Sequence, residues 1–189
     1  MWGIKNYQPQ WSDSYTELLK LIVHIPLIGC QVQALWSLWD EDNDEWFSDA
    51  PVVICTQENQ IEFCANKLNE FSFSLDSIDL SVPVYWCGEE DPGTKSFRWV
   101  QQKNPEFRDL VGKLITEIEI VESRMEKDIQ TFLGLESLVL SGIALQLQDK
   151  RLEILNGLDC NLLSRSQKTD ERLKYTQVAT QYKNAVSTD

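Results

Sequence analysis

Residues 50–63 read APVVICTQENQIEF and residues 141–154 read SGIALQLQDKRLEI, and the two stretches align without a gap at a spacing of 91 residues. Each is an apolar run, a polar turn and a second apolar run. The polar turns are residues 57–60 and 148–151. A short polar stretch between two apolar, β-prone runs is typical of a β-hairpin. The alignment therefore predicts the same hairpin twice.

A second match lies upstream of each hairpin. Residues 27–29, Leu-Ile-Gly, precede a strand-like stretch at 31–39, and residues 110–112, Leu-Val-Gly, precede another at 114–121. The spacing here is 83 residues, so the second copy has eight more residues between its first strand and its hairpin. Loops absorb insertions of this size at low entropic cost. The sequence thus predicts a repeated unit whose connecting loop differs in length.

Helix-start signals precede both copies. Ser14 and Glu17 have the spacing of a capping box, and Pro26 is expected to end the helix that follows. In the second copy, Asn104 and Pro105 have the residue types of an N-cap and a first helical position. We therefore expect a short helix ahead of each unit.

Two weaker strands are predicted after each hairpin. In the first copy they are residues 71–75, where apolar and polar side chains alternate, and residues 82–86, where Pro83 indicates a sheet edge. In the second copy they are residues 162–164 and 173–178. Each unit then has about five strands.

The predicted fold is mainly β, with two tandem, diverged units, each resembling a small SH3-like barrel in its number of strands. The predicted domains are residues 1–94 and 95–189. The turn-forming residues 88–94 serve as the linker. The polar, aperiodic residues 179–189 are expected to fray.

Charge is distributed unevenly between these halves. The chain has 30 acidic and 17 basic side chains, for a net charge of -13, and residues 1–90 contain 15 acids but only 3 bases. All seven Trp lie within the first 99 residues. Phosphate backbones and anionic lipids are bound through Lys and Arg, so direct binding of nucleic acid or membrane is not expected. The sequence also lacks a 20-residue apolar run and a leader pattern at its start, which predicts a soluble, cytoplasmic protein.

The most unusual segment is the acidic stretch at residues 40–49, in which six of ten residues are acidic. Its alternating acids suggest a calcium loop, but the pattern fails where Glu45 replaces a required Gly and Pro51 replaces a required Glu. A solvated loop is one interpretation. The other is a docking loop in which aromatic side chains anchor a basic partner and carboxylates steer it. The predicted partner-binding residues are Trp39, Asp40, Asp42, Asp44, Glu45, Trp46 and Phe47. Trp36 and Trp39, three residues apart, are expected on opposite faces of a strand.

Signals for catalysis are weak. His24 is the only histidine and lies in an apolar stretch, so we expect it to be at least half-buried and not catalytic. The odd number of cysteines, without a C-x-x-C spacing, favours small buried thiols over a disulfide framework or a zinc site. Gly-rich phosphate loops are absent from the sequence. No catalytic, cofactor-binding or metal-binding residue is predicted. The cysteines are Cys30, Cys55, Cys64, Cys87 and Cys160.

These observations favour a non-enzymatic protein-binding module, such as an adaptor, an inhibitor or an immunity-type protein, that presents an acidic aromatic surface to a basic protein. Two alternatives stay open. One is a structural protein that assembles through sheet edges, and the other is an enzyme that uses a metal bound by carboxylates.

Overall fold

The computed structural model describes residues 3–85, 95–128 and 137–178. The predicted linker and the predicted frayed tail lie outside the described residues. Within them the chain is mainly β, as predicted, with thirteen strands and one α-helix. The strands are β1 Gln10–Ser12, β2 Ala34–Asp40, β3 Glu45–Trp46, β4 Val52–Cys55, β5 Gln60–Asn66, β6 Glu70–Leu75, β7 Val84–Tyr85, β8 Ser96–Gln101, β9 Ile115–Arg124, β10 Leu138–Leu147, β11 Lys150–Asn156, β12 Asn161–Ser164 and β13 Leu173–Gln177.

The strands form two antiparallel sheets. The first has eight strands in the order β1-β6-β5-β4-β2-β8-β7, with β3 paired to β2 beside this path. The second has five strands in the order β12-β11-β10-β9-β13. Neither sheet closes into a barrel within the described part of the chain.

Both predicted hairpins are confirmed, and their registers correspond residue by residue. In the β4–β5 hairpin Val53 lies opposite Glu62, and in the β10–β11 hairpin Ala144 lies opposite Glu153. The neighbouring pairs on both sides follow the same spacing of 91 residues. On β4, Val52 and Ile54 are buried on one face of the sheet and Val53 on the other, so a slip by one residue would exchange these two sets of side chains.

The structure differs from the sequence analysis in the last strand of the first five-stranded unit. Residues 82–86 were expected to be the last strand of the first unit, and within the described residues 82–85 Val84–Tyr85 forms a strand at the sheet edge, consistent with Pro83. The strand beside β2 is β8, whose Phe97 and Trp99 are buried. The first sheet therefore extends to Gln101, past the predicted boundary at residues 94 and 95. With this change the strands β6-β5-β4-β2-β8 have the same connectivity as β12-β11-β10-β9-β13.

The two sheets meet through a local two-fold arrangement. The amide of Gly29 donates to the carbonyl of Ile115 at 2.8 Å, and the amide of Gly112 donates to the carbonyl of Val32, also at 2.8 Å. The two donors lie 83 residues apart in the chain, and so do the two acceptors, so each bond is the counterpart of the other. Both glycines have a left-handed backbone, with φ of 92° and 83°, which a glycine adopts at little cost.

A hydrophobic core lies between the sheets and is shared by both. It includes Leu35 and Phe63 of the first sheet, Ile118 and Ile154 of the second, and the buried side of the α-helix. A smaller cluster covers the outer face of the first sheet, where Leu38, Phe97 and Trp99 pack against the N-terminal residues Ile4 and Tyr7. Both faces of the first sheet are thus covered.

The helix predictions are confirmed in position but not in every detail. The helix α1, Tyr15–Ile22, begins after Ser14 as expected, but the Ser14 side chain makes no capping hydrogen bond. Before the second unit, the Asn104 side chain accepts from the amide of Glu106 at 3.0 Å and caps a 3-10 helix, Pro105–Phe107.

Candidate functional site

The acidic segment forms a hairpin on the edge of β2, hereafter the acidic hairpin (residues 39–47). Trp39 lies opposite Trp46, and Asp40 lies opposite Glu45. The four residues of the connecting turn are exposed, and Asp44 has a left-handed backbone with φ of 55°, which Asp tolerates better than most residues. The acidic charges are therefore presented on an ordered turn that projects from the sheet.

Asp40 anchors this turn from below. Its carboxylate is buried and accepts the amide of Asp42 at 3.0 Å, the amide of Asn43 at 3.3 Å and the Asn43 side-chain amide at 2.9 Å. It also forms an ion pair with Lys95. The ammonium group of Lys95 and these amide donors lower the pKa of Asp40 to about 2. Asp40 therefore supports the turn and is not an open contact residue.

Two bases on or just after β8 neutralise two other acids of the acidic hairpin. Arg98, on β8, lies 3.5 Å from the carboxylate of Glu41, and Lys103, just after β8, pairs with Asp44. Asp42 and Glu45 are exposed, and neither makes an ion pair with any residue in the described ranges. Sequence reasoning missed these bases because it assigned them to the second unit, although an acidic segment followed by spaced bases was a signal of pairing.

The aromatic side chains of the acidic hairpin are half-buried. Trp46 packs against the shared core, and the ring of Phe47 lies 4.6 Å from that of Phe97 in the outer cluster. The ring of Trp39 is covered by the ammonium of Lys103, 4.0 Å from its centroid. Trp36 packs in the outer cluster, so Trp36 and Trp39 lie on opposite faces as predicted. These aromatic rings mainly stabilise the hairpin.

Asn161 of the second sheet holds the end of the acidic hairpin. Its side-chain amide donates to the carbonyls of Ser48 at 2.9 Å and Ala50 at 2.8 Å. Its oxygen accepts from the amide of Ala65, on β5, at 2.9 Å. Asn161 is fully buried, so these bonds form away from water. Nothing in the local sequence pattern indicated this role, because the partners come from residues about 100 positions earlier.

The β5–β6 and β11–β12 turns also bind each other. Lys67 donates its amide to the Asp159 carboxylate at 2.7 Å, and the Asp159 amide donates to the Lys67 carbonyl at 3.0 Å. The Asn156 side chain donates to the carbonyls of Asn66 at 3.3 Å and Glu70 at 3.2 Å. These hydrogen bonds at the two turns hold the sheets together.

Two buried glutamates occupy equivalent positions, and their oxygens are already bound. Glu62 accepts from the hydroxyls of Ser74 at 2.5 Å and Ser77 at 2.7 Å, and from the amide of Ile78 at 2.9 Å. Glu153 pairs with Arg151 at 2.8 Å. Buried carboxylates with these partners hold strands and loops in place.

The histidine and the described cysteines do not form a reactive pair. His24 is exposed beyond the end of α1, so the expectation of a half-buried side chain was wrong. The helix stops at Ile22, and in the segment that follows His24 faces solvent while Ile25 and Leu27 pack against the core. Burial raises the pKa of the Cys30, Cys55 and Cys160 thiols, and that of Cys64 to about 12. Thiols with raised pKa values are weak nucleophiles at neutral pH.

No group of three or more His, Cys, Asp or Glu side chains is arranged to hold a metal ion in the described ranges. None of the helical segments described is both long and apolar enough to cross a bilayer. Comparison of the chain with protein-family models, curated proteins and solved structures finds no match.

Proposed function

We propose that the chain is a non-enzymatic protein-binding module, of adaptor, inhibitor or immunity type, that presents its acidic hairpin to a basic protein partner. The observation that supports this most directly is the exposure of the Asp42 and Glu45 carboxylates and their lack of an ion-pair partner. Both remain exposed and without an ion pair in the described part of the chain, whereas their acidic neighbours are paired internally. Lys95 is the nearest base, but it is bound to Asp40, which is the main cause of its raised pKa; the charges of Asp42 and Glu45 add to that effect, and neither carboxylate has a base of its own.

The support beneath the turn strengthens the proposal. The buried Asp40 carboxylate binds two backbone amides of the turn, which holds Asp42 in one conformation before a partner arrives. A preorganised surface loses less conformational entropy on binding. The net charge of -13 adds a long-range attraction for basic proteins, and such attraction acts mainly on the rate of association.

The test uses a double variant, Asp42→Asn with Glu45→Gln, which removes two charges and retains side-chain size. Proteins captured from the source cells by the purified chain are identified, purified and studied by stopped-flow binding at two salt concentrations. We expect a basic protein whose association rate falls about threefold to tenfold with the variant, while its dissociation rate changes little. The rate for the unmodified chain should fall more steeply with salt than that of the variant.

A matched control carries Asp13→Asn with Glu17→Gln. It removes the same charge from exposed positions at the start of α1. Equal association rates for the two double variants would contradict steering by the acidic hairpin. Capture of proteins with no excess of basic residues would contradict the proposed class of partner.

We also propose that the two sheets are diverged copies of one five-stranded unit of the SH3-like kind. The shared strand order, the constant spacings of 91 and 83 residues and the two-fold contact at Gly29 and Gly112 support this origin. In this view the first copy acquired the acidic surface, and the second copy supports it through Asn161.

A further inference from the structure

Leu158 is the most exposed large apolar side chain in the described part of the protein. Its relative exposure is 70 %, whereas that of the next residue, Leu162, is 42 %. An apolar side chain in water lacks the free-energy gain that burial provides, about 1.5–3 kcal/mol for a leucine. A single exposed leucine is ordinary, so exposure alone does not indicate a function.

The backbone of Leu158 makes its position unusual. Its φ is 67°, in the left-handed region that glycine and asparagine favour and that leucine rarely adopts. The Asn156 side chain imposes this conformation, because its oxygen accepts the amides of Leu158 at 3.0 Å and Asp159 at 3.3 Å. Asp159 is in turn bonded to Lys67 of the other sheet. The fold thus keeps an exposed apolar side chain on a strained, left-handed backbone, and backbone strain is common at functional sites.

Leu158 is part of a small apolar surface. Leu162 packs over Gly157, next to Leu158 in the chain, and Leu68 is 36 % exposed on the turn that binds Asp159. We name these three residues, Leu68, Leu158 and Leu162, the leucine cluster.

Acidic groups lie beside the leucine cluster and connect it to the acidic hairpin. Asp159 follows Leu158 directly, and burial together with the charge of Asp159 raises the pKa of Asp49. Asn161, the first residue of β12, binds the carbonyl of Ser48, so the end of the β11–β12 turn packs against the end of the acidic hairpin. A second copy of this chain would bring the same acidic groups to the interface, and like charges oppose such contact.

We propose that Leu158 is the apolar anchor of the docking surface and inserts into a hydrophobic pocket on the basic protein partner. This inference rests on the proposed function and assigns the anchor to the leucine cluster, because Trp46 and Phe47 are packed internally. A buried apolar anchor acts mainly on the lifetime of a complex, whereas charged groups at the rim act mainly on the rate of association.

The experiment has two parts. A diazirine amino acid at position 158 is photo-activated in the source cells, with the same group at Val111, 39 % exposed on another loop, as control. The crosslinked protein is then purified and titrated calorimetrically with the unmodified chain, Leu158→Asn and Val111→Asn. We expect crosslinking of a basic protein from position 158 only, and at least tenfold weaker binding for Leu158→Asn alone. The melting temperature of Leu158→Asn should rise by about 2 °C, because asparagine tolerates the left-handed backbone.

Each result has a definite meaning. Unchanged affinity for Leu158→Asn, or crosslinks that join two copies of this chain, would overturn the inference. If Leu158→Asn binds normally while the Asp42 and Glu45 variant associates slowly, the proposed function stands and only the anchor is wrong. If the affinity falls together with the melting temperature, Leu158 has a structural role and the inference also fails.

Discussion

Asp40 shows how a single residue can change its role between sequence and structure. In the sequence it is one of six acids in ten residues and looks like surface charge. In the structure its carboxylate is buried under the turn and bound by Lys95 and by amides of the turn. The charge that a partner can reach therefore belongs to Asp42 and Glu45, which the sequence alone did not distinguish from Asp40.

This role predicts a pH dependence. The folded-state pKa of Asp40, about 2, lies below the ordinary value of 3.8, so its stabilising effect is present above about pH 4 and is lost as the pH falls toward 2. We expect Asp40→Asn to lower the free energy of unfolding by about 1–2 kcal/mol at pH 7, through loss of charge-assisted hydrogen bonds. Urea unfolding between pH 7 and pH 2 should show this difference shrinking as the pH falls. Asp42→Asn is the control, and a constant difference for Asp40→Asn would contradict the assignment.

At the scale of elements, local pattern predicted the hairpins but not the neighbours of each strand. The β4–β5 and β10–β11 hairpins join residues close in sequence, so alternation and turn residues determine them. The strand β8 pairs with β2, about 60 residues away, and its pairing depends on which strand edge is free. Residues 82–86 have a similar apolar content, which is why sequence reasoning chose the wrong segment.

Among the contacts between elements, we expect the hydrogen bonds of the Asn161 side chain to contribute most to stability. Replacement by Ala leaves the Ala50 carbonyl and the Ala65 amide without partners inside the protein. We expect Asn161→Ala to lower the free energy of unfolding by about 3 kcal/mol, since each buried polar group without a partner costs about 1–3 kcal/mol. Hydrogen exchange should show faster exchange at the Ala65 amide. Asn59→Ala, at a turn where the side chain makes no described hydrogen bond, is the control and should leave that amide protected.

At the scale of the whole molecule, the shared core determines how the chain unfolds. The largest core cluster contains side chains from both sheets, which meet between the two layers. Each sheet would expose its inner apolar face if the other unfolded. Cooperative unfolding of both sheets is expected when an interface of this kind is lost.

The positions of the Trp residues allow the cooperative unfolding of the two sheets to be tested. All seven Trp lie in the first 99 residues, and the five that the structure describes lie on strands of the first sheet, so Trp fluorescence reports on that sheet. Ile154 is fully buried in the second sheet, and Ile154→Ala should lower stability by about 3 kcal/mol. We expect the Trp fluorescence transition in urea to shift as far as the circular dichroism transition. Leu162→Ala, at a more exposed position of the same sheet, should shift both only slightly. A Trp transition unmoved by Ile154→Ala would mean that the sheets unfold independently.

The amino-acid sequence by itself determined the mainly β class, both hairpins with the spacing of 91 residues between them, and the position of the acidic segment. It could do so because alternation, turn residues and charge runs act over a few residues. Only the tertiary structure decided which strand lies beside β2, which acids are paired, and that Asn161 and Asp159 connect the two sheets. These depend on contacts between residues tens of positions apart, whose energies come from burial and from partners that no local pattern specifies.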